Sequence, residues 1–454
     1  MILRNSLSKL LKWKELESRK PLIIRGARQV GKTTLVREFS KDFSTYIELN
    51  LERDSERRLF ELEGTEKILN AIFLSKNTSP KTGQTLLFID EIQESPRAIT
   101  QLRYFLEDSP DLFVIAAGSL LEFALSKIPS FPVGRVDYLY LHPLNFEEFL
   151  LAMGQLRALE SLRDVPVPEY AHQILKEHFH QYALIGGMPA LVSDFAQNKN
   201  VEALSSNYRK LWQAYKDDVE KYAKNETEKR IIRHVIDTAP FELDRIKFEG
   251  FGNSNYKSRE VGEALRALDL ARIIQLIYPT TSVKPPIVID FKKRPRLQFL
   301  DTGLWNQAMG LQAQLIQVGD LDEVHKGRIV QHLVAQEINS TVEDYYSTSN
   351  FWVRQEKDSN SEVDLIFPFE KYLIPVEVKS GSKGTLRSLH QFMDRCEHPY
   401  AVRVYAGEFK IEPARTIAGT DFYLMNLPYY LGTQLEKYVR RFVNKYSSSE
   451  LGPK

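Results

Sequence analysis

The octapeptide Gly26-Ala27-Arg28-Gln29-Val30-Gly31-Lys32-Thr33 fits the pattern G-x-x-x-x-G-K-[ST] and constrains the fold more than any other stretch of the chain. The apolar run Leu22-Ile23-Ile24 precedes it, and a helical pattern from Thr34 to Phe43 follows. Strand, glycine loop and helix in that order bring several backbone N–H groups and the positive end of a helix dipole to one point, which suits a phosphate. Gly26, Ala27, Arg28, Gln29, Val30, Gly31, Lys32, Thr33 and Thr34 are the expected nucleotide contacts. Among them, Lys32 would reach the β- and γ-phosphates and Thr33 would place its hydroxyl on Mg²⁺.

A second element supplies what such a loop needs. Leu86-Leu87-Phe88-Ile89-Asp90-Glu91 reads as a buried parallel strand that delivers two carboxylates at its C-terminal edge, where ligands bind in open α/β sheets. Asp90 would hold Mg²⁺ and Glu91 would polarise the attacking water. An Asp-Glu pair at a strand end is otherwise an ordinary solvated terminus; its place after a complete loop and a further βα unit favours chemistry. Thr45–Asn50 and Leu112–Ser119 read as further strands. Ser119 ends the latter beside the expected γ-phosphate, as a hydrogen-bonding sensor or as a simple turn. After a short helix, Arg135, ahead of the strand-like Val136–Leu141, is the candidate cation for the transferred phosphoryl group, in cis or from a neighbouring subunit; the alternative is a plain surface arginine.

These residues resemble the AAA-class prokaryotic ATPases, in particular their signal-transduction-type branch. The shared elements are G-A-R-Q-V-G-K-T (Gly26 to Thr33), I-D-E-I-Q (Ile89 to Gln93), Gly118-Ser119, Gly134-Arg135 and P-L-x-F-x-E-F (Pro143 to Phe149). Members continue into a helical segment with G-G-x-P, a winged-helix region and a C-terminal domain of unknown function related to restriction-endonuclease-like nucleases. Gly186-Gly187-Met188-Pro189 and Asp301-Thr302-Gly303-Leu304 match that continuation. The resemblance implies an α/β P-loop parallel sheet with helices on both faces over 1–160, a helical lid over 161–225, a winged-helix region over 226–300 and an α/β nuclease-like domain over 301–440. A disordered tail is expected over 441–454.

Composition agrees with a soluble, multidomain protein: 454 residues, 43% hydrophobic and 27% charged. No apolar stretch reaches the roughly 18 residues of a membrane helix, and the start lacks a secretory h-region. The single Cys396 leaves no partner for an intrachain disulfide, so a cytoplasmic location is expected. A formal charge of +1 excludes a strongly basic nucleic-acid binder as a whole. Residues 201–300, with 19 basic against 14 acidic side chains, form a basic stretch, which either faces phosphates or is a solvated face.

The middle of the chain reads as helical. Tyr170–Tyr182 carries His172, His178 and His180 without a carboxylate at ligand spacing, so these are polar helix positions. Val201–Tyr222 shows a core stripe of Leu204, Tyr208, Leu211, Trp212 and Tyr215. Glu228–Thr238 and Ser258–Leu268 are two helices, Ala271–Tyr278 a strand, and Lys284-Pro285-Pro286 a turn before a returning strand: a winged helix-turn-helix pattern. As a DNA reader it would present Lys257, Arg259 and Arg266; the same module also serves as a mechanical lid or partner-binding domain.

Near the C-terminus, Glu362–Phe367 and Tyr372–Lys379 read as a hairpin closed by Pro368–Lys371. Pairing Phe367 with Tyr372 sets Glu362 opposite Glu377 and Asp364 opposite Pro375, and gathers Glu362, Asp364, Glu377 and Lys379 on one face. This is the D…(D/E)-x-K layout of a phosphodiester-cleaving site, with Asp364 and Glu377 on Mg²⁺ and Lys379 on the attacking water. A solvated hairpin face gives the same pattern. In the family's preceding helix, G-x-x-x-E-x-x-V-x-x-E-[LI], Gln331 stands where a carboxylate is expected, while Glu337 is retained. The expected cofactors are ATP and Mg²⁺; the expected partners are ATP and either DNA or a regulatory protein, with no membrane. The expected activity is ATP hydrolysis coupled to the C-terminal domains. The alternative is a nucleotide-switched binding protein with slow or no turnover and an inert nuclease-like domain.

Overall fold

The computed structural model describes residues 2–119, 121, 134–221, 223–242, 244–312, 327–342, 350–355, 361–379 and 386–447. The short helix expected between Ser119 and Gly134 and the chain end 448–454 lie outside them. Two compact units result: Met1–Pro143 with Leu270–Ile273, and Leu144–Asp269 with Ile274–Lys454.

In the first unit, strands β1 (Leu22–Arg25), β2 (Thr45–Asn50), β3 (Thr85–Asp90), β4 (Phe113–Gly118) and β5 (Asp137–Tyr140) form one sheet in the order β2-β3-β4-β1-β5. Every pairing is parallel. Central β1, β3 and β4 are buried along their whole length, whereas edge strand β2 alternates buried and half-buried. That contrast explains why the central strands are unbroken apolar runs. Ile23, Leu87, Ile89, Val114 and Ala116 pack with Ile99, Leu102 and Phe105 of the helix Pro96–Asp108.

The second unit opens with the helix Phe146–Ala152, whose N-cap Asn145 forms a capping box with Glu148. Helices His172–Ile185, Pro189–Asn198 and Leu204–Glu220 follow; Leu204, Tyr208, Leu211 and Tyr215 are buried, as the stripe predicts. His172 and His180 meet the hydroxyls of Tyr430 and Tyr429 at 2.9 and 2.6 Å. Helices Glu226–Thr238 and Ser258–Leu270 precede an antiparallel pair, β6 (Ile274–Ile277) and β7 (Arg296–Phe299). The first of these strands is shorter than the expected Ala271–Tyr278 because Arg272 has a left-handed backbone.

Two motifs that sequence leaves without chemistry form one latch. Gly187 N–H donates to Asp301 Oδ2 at 2.5 Å, and Leu304 N–H donates to Asp301 Oδ1 at 3.0 Å. Gly186 has φ 75°, and a Cβ there would lie 2.2 Å from Asp301 Oδ1. Burial lifts the Asp301 carboxyl to about 6.

Strands β8 (Trp352–Val353) and β9 (Glu362–Val363) pair with each other. β10 (Leu365–Phe369), β11 (Tyr372–Val378), β12 (Tyr400–Tyr405), β13 (Lys410–Arg415) and β14 (Asp421–Pro428) form a mixed sheet in the order β10-β11-β12-β14-β13. The β10–β11 hairpin corrects the expected register. Phe369, not Phe367, pairs with Tyr372, because the turn is only Glu370-Lys371, with Glu370 left-handed at φ 51°. A shift of two leaves each side chain on its expected face. It moves Asp364 from Pro375 to the end of the strand beside Val378, whose N–H donates to Asp364 Oδ2 at 2.9 Å. The wet face is corrected too: β11 is buried from Leu373 to Val378, since it lies inside the sheet. The helix Leu435–Tyr446 runs into the stretch expected to be tail; Tyr438, Val439, Phe442 and Val443 are buried along it.

Candidate functional site

The phosphate loop follows β1 at the C-terminal edge of the first sheet. Gly31 is left-handed at φ 97°, and Gln29 adopts φ 63°, a conformation that costs a non-glycine residue energy and clusters at ligand sites. Lys32 opens the helix Lys32–Phe39 and is buried. Its Nζ donates to the loop's own carbonyls, Gly26 O at 3.0 Å and Ala27 O at 2.9 Å. Ala27 and Val30 point into the core, Arg28 and Thr34 are half-buried or exposed at the rim, and the Arg4 guanidinium donates to Val30 O and His142 O at 2.8 and 2.7 Å.

Thr33 and Asp90 converge. Thr33 Oγ1 donates to Asp90 Oδ2 at 2.7 Å. Burial pushes the Asp90 carboxyl up, with the neighbouring Glu91 charge adding to it. A hydroxyl and carboxylates are hard oxygen ligands, so this donor set fits Mg²⁺. Glu91 is left-handed at φ 51°, and its Oε2 accepts from Gln93 Nε2 at 2.6 Å and Ser119 Oγ at 3.4 Å. Gly118 matters here because a Cβ on it would lie 2.3 Å from Gln93 Oε1. Sequence reasoning missed the roles of Gln93 and Arg4. The I-D-E-I-Q motif held the former; an isolated arginine before the first helix carries no pattern that could reveal the latter.

Arg135 is not brought to this edge. β5 starts at Asp137, which pairs with Leu22 at the start of β1, so Arg135 lies by the opposite, N-terminal edge. There its guanidinium is 3.6 Å from Glu107. The four residues of β1 span roughly 13 Å, and the loop begins beyond them. A cis contact from Arg135 to its own γ-phosphate is therefore corrected on geometric grounds.

In the second unit, Asp364, Glu377 and Lys379 are brought together. Gln331 Nε2 donates to Asp364 Oδ1 at 2.8 Å, from the helix Arg328–Thr341. Lys379 Nζ donates to Glu377 Oε1 at 2.7 Å, while Glu377 Oε2 is buried without a hydrogen-bond partner. Burial first, and then the Asp364 charge, push the Glu377 carboxyl well up. Two close carboxylates with an orphaned oxygen suit a divalent cation completed by water. Arg296 enters the same cluster: its guanidinium bonds Glu362, lies 3.7 Å from Asp364 Oδ1 and faces the Phe351 ring at 4.5 Å. A cavity of about 60 Å³ lined by Arg296, Arg328, Gln331 and Asp364 adjoins it.

The parallel sheet, the loop and the acids at the strand end make the N-terminal unit a P-loop domain of the nucleotide-binding kind. Comparison agrees: residues 18–150 match the family described as AAA domain. Residues 176–315 and 326–424 match two domains of unknown function, DUF8612 and DUF4143. No curated protein matches the chain. Among solved structures, the Walker-type ATPase PABY2304 of Pyrococcus abyssi is similar at 14% identity and TM-score 0.43, over 68% of this chain and 96% of that one. Among the described residues, no helix is long and apolar enough to cross a membrane.

Proposed function

We propose that the chain is a Mg²⁺-dependent ATPase whose turnover drives a second unit built from a helical lid (161–225), a winged-helix region (226–300) and a nuclease-like domain (301–440) that acts on DNA. The observation that carries the reading is the convergence of Lys32, Thr33, Asp90 and Glu91 at one sheet edge, with Thr33 bonded to Asp90 at 2.7 Å. Bound Mg²⁺ would screen the charge on the β- and γ-phosphates. Lys32, which donates to the carbonyls of Gly26 and Ala27, would turn its ammonium to phosphate oxygens, whose negative charge makes them the stronger acceptors. Glu91, aimed by Gln93 and Ser119, accepts a hydrogen bond from the attacking water and orients it. Glu91→Gln keeps the shape but removes the charge. ATP affinity measured by calorimetry should persist while phosphate release falls at least about 100-fold; a variant that turns over like the parent would end the reading.

A second reading has its own observation. Gln331 binds Asp364 where a third carboxylate would otherwise sit, which favours a C-terminal cluster that binds rather than cleaves, switched by the nucleotide. Incubation of the full chain with single- and double-stranded DNA in Mn²⁺ separates the two. Cleavage that disappears in Lys379→Ala supports the first, and bound but intact DNA the second.

A further inference from the structure

The loop joining β6 to β7 is one-sidedly charged. From Tyr278 to Pro295 it carries Lys284, Lys292, Lys293 and Arg294 against the single Asp290. Lys284 lies 3.6 Å from Glu397, and Lys293 Nζ donates to Arg354 O at 3.0 Å. Lys292 and Arg294 are exposed and have no ion-pair partner among the described residues. Between Asp290 and Lys292 stands Phe291, 71% exposed, its ring 5.0 Å from that of Tyr278. The turn is fixed: Asp290 N–H donates to Pro279 O at 2.9 Å, and Asp290 Oδ1 accepts from Lys292 N–H at 3.0 Å. The helix Ser258–Leu270 presents no such excess. Lys257, Arg259 and Arg266 there are matched by Glu260, Glu263 and Asp269, and Arg259 pairs with Glu263 at 3.2 Å.

We propose that this loop, and not the preceding helix, grips nucleic acid, and that it takes an unpaired strand. Phe291 offers a face on which a base can stack, while Lys292 and Arg294 on the same turn neutralise the flanking phosphates; stacking of this kind needs a base that is not already paired. Position supports the assignment. Lys293 anchors the turn on Arg354, whose N–H bonds Ser361 O at 3.2 Å, one residue before Glu362. Arg294 lies two residues before Arg296, which bonds Glu362 beside Asp364. A strand held on Phe291 therefore runs toward the Asp364, Glu377 and Lys379 cluster. The inference rests on the nucleic-acid half of the reading above and is independent of ATP turnover and of cleavage.

Fluorescence anisotropy of a fluorescein-labelled oligothymidylate and of a labelled duplex, with the full chain, tests it. Lys292→Glu with Arg294→Glu should weaken oligothymidylate binding at least about tenfold and lower the slope of log K against log salt by about 1.4, two phosphates at 0.7 each. Phe291→Ala should cost about fivefold or more on the single strand and leave the duplex unchanged. Arg259→Glu should leave both unchanged. An unchanged urea midpoint of tryptophan fluorescence, from Trp305 and Trp352 of the same unit, shows that the loop variants are folded. The inference is overturned if the loop variants bind as the parent does, if Arg259→Glu does the damage instead, if polyglutamate displaces the parent as well as oligothymidylate does, or if the full chain binds no single strand. Failure of the ATPase reading shows separately, in Glu91→Gln.

Discussion

Glu337 offers the sharpest test of how the second unit is held together. It is fully buried on the helix Arg328–Thr341. One carboxyl oxygen accepts from Phe146 N–H at 2.9 Å and the other meets Tyr182 Oη at 2.8 Å. Tyr182 in turn reaches Leu144 O at 2.7 Å and accepts from Gln336 Nε2 at 2.9 Å. Burial raises the carboxyl to about 8 from 4.5, and the charges of Glu147 and Glu148 push the same way. The folded chain thus holds this proton more tightly than the unfolded chain does. Its contribution to stability is present below about pH 4.5 and is lost as pH rises toward 8. At about 1.4 kcal/mol per pH unit, the loss is at most about 5 kcal/mol across that window.

Glu337→Gln mimics the protonated form, with an amide oxygen for Phe146 N–H and an NH₂ for Tyr182. Urea unfolding followed by tryptophan fluorescence suits the question, because Trp212, Trp305 and Trp352 all belong to the second unit. The variant's stability relative to the parent should grow steadily between pH 5 and pH 8.5, by about 2 kcal/mol or more after discounting the upper bound for solvent entry. Other groups titrate in both proteins and cancel in the difference. Parallel profiles for parent and variant would refute the assignment of a proton to Glu337.

Two further outcomes follow from the geometry. Gly186→Ala places a methyl group 2.2 Å from Asp301 Oδ1 at φ 75°, whereas Gly154→Ala, at φ 74°, meets nothing within 4 Å; the first should cost about 3 kcal/mol or more in urea unfolding and the second about 1, and equal losses would show that the latch does not hold. Arg135→Ala should leave nucleotide affinity unchanged in dilute protein, since the side chain lies at the opposite sheet edge beside Glu107. A turnover defect confined to high protein concentration would mark contribution to a neighbouring subunit, and a defect in single-chain affinity would contradict the strand register.

The elements legible in sequence were those coded locally. Thr45–Asn50 declares itself by alternation, and Leu86–Asp90 by an unbroken apolar run; both appear as β2 and β3 with almost the expected limits. Lys32, Thr33, Asp90, Glu91 and Ser119 meet because each lies within a few residues of a parallel strand's C-terminal end, a relation that topology fixes. Arg135 does not reach its own chain's site for the same reason: it precedes its strand instead of following it. The β10–β11 register failed because a two-residue turn with Glu370 left-handed has no marker such as Asn-Gly. Long-range partners, such as Arg4 on Val30 O or Glu337 on Phe146 N–H, leave no trace in local pattern.

Gln331 shows how one substitution changes what a cluster asks of its surroundings. Its amide N–H donates to Asp364 Oδ1 at 2.8 Å, a bond that a carboxylate cannot make. Gln331→Glu would set a third negative charge beside Asp364 and the already raised Glu377, with Arg296 and Lys379 as the near cations. In EDTA the variant should be less stable than the parent by about 1–3 kcal/mol, through repulsion and the lost bond. Mn²⁺ should then return more stability to the variant than to the parent, as RT ln(1 + [Mn²⁺]/Kd) requires for a tighter site. A Lys32→Ala, Asp90→Ala background removes the contribution of the first unit. If Mn²⁺ stabilises parent and variant equally, the three side chains do not share a cation, and the orphaned oxygen of Glu377 is explained by packing alone.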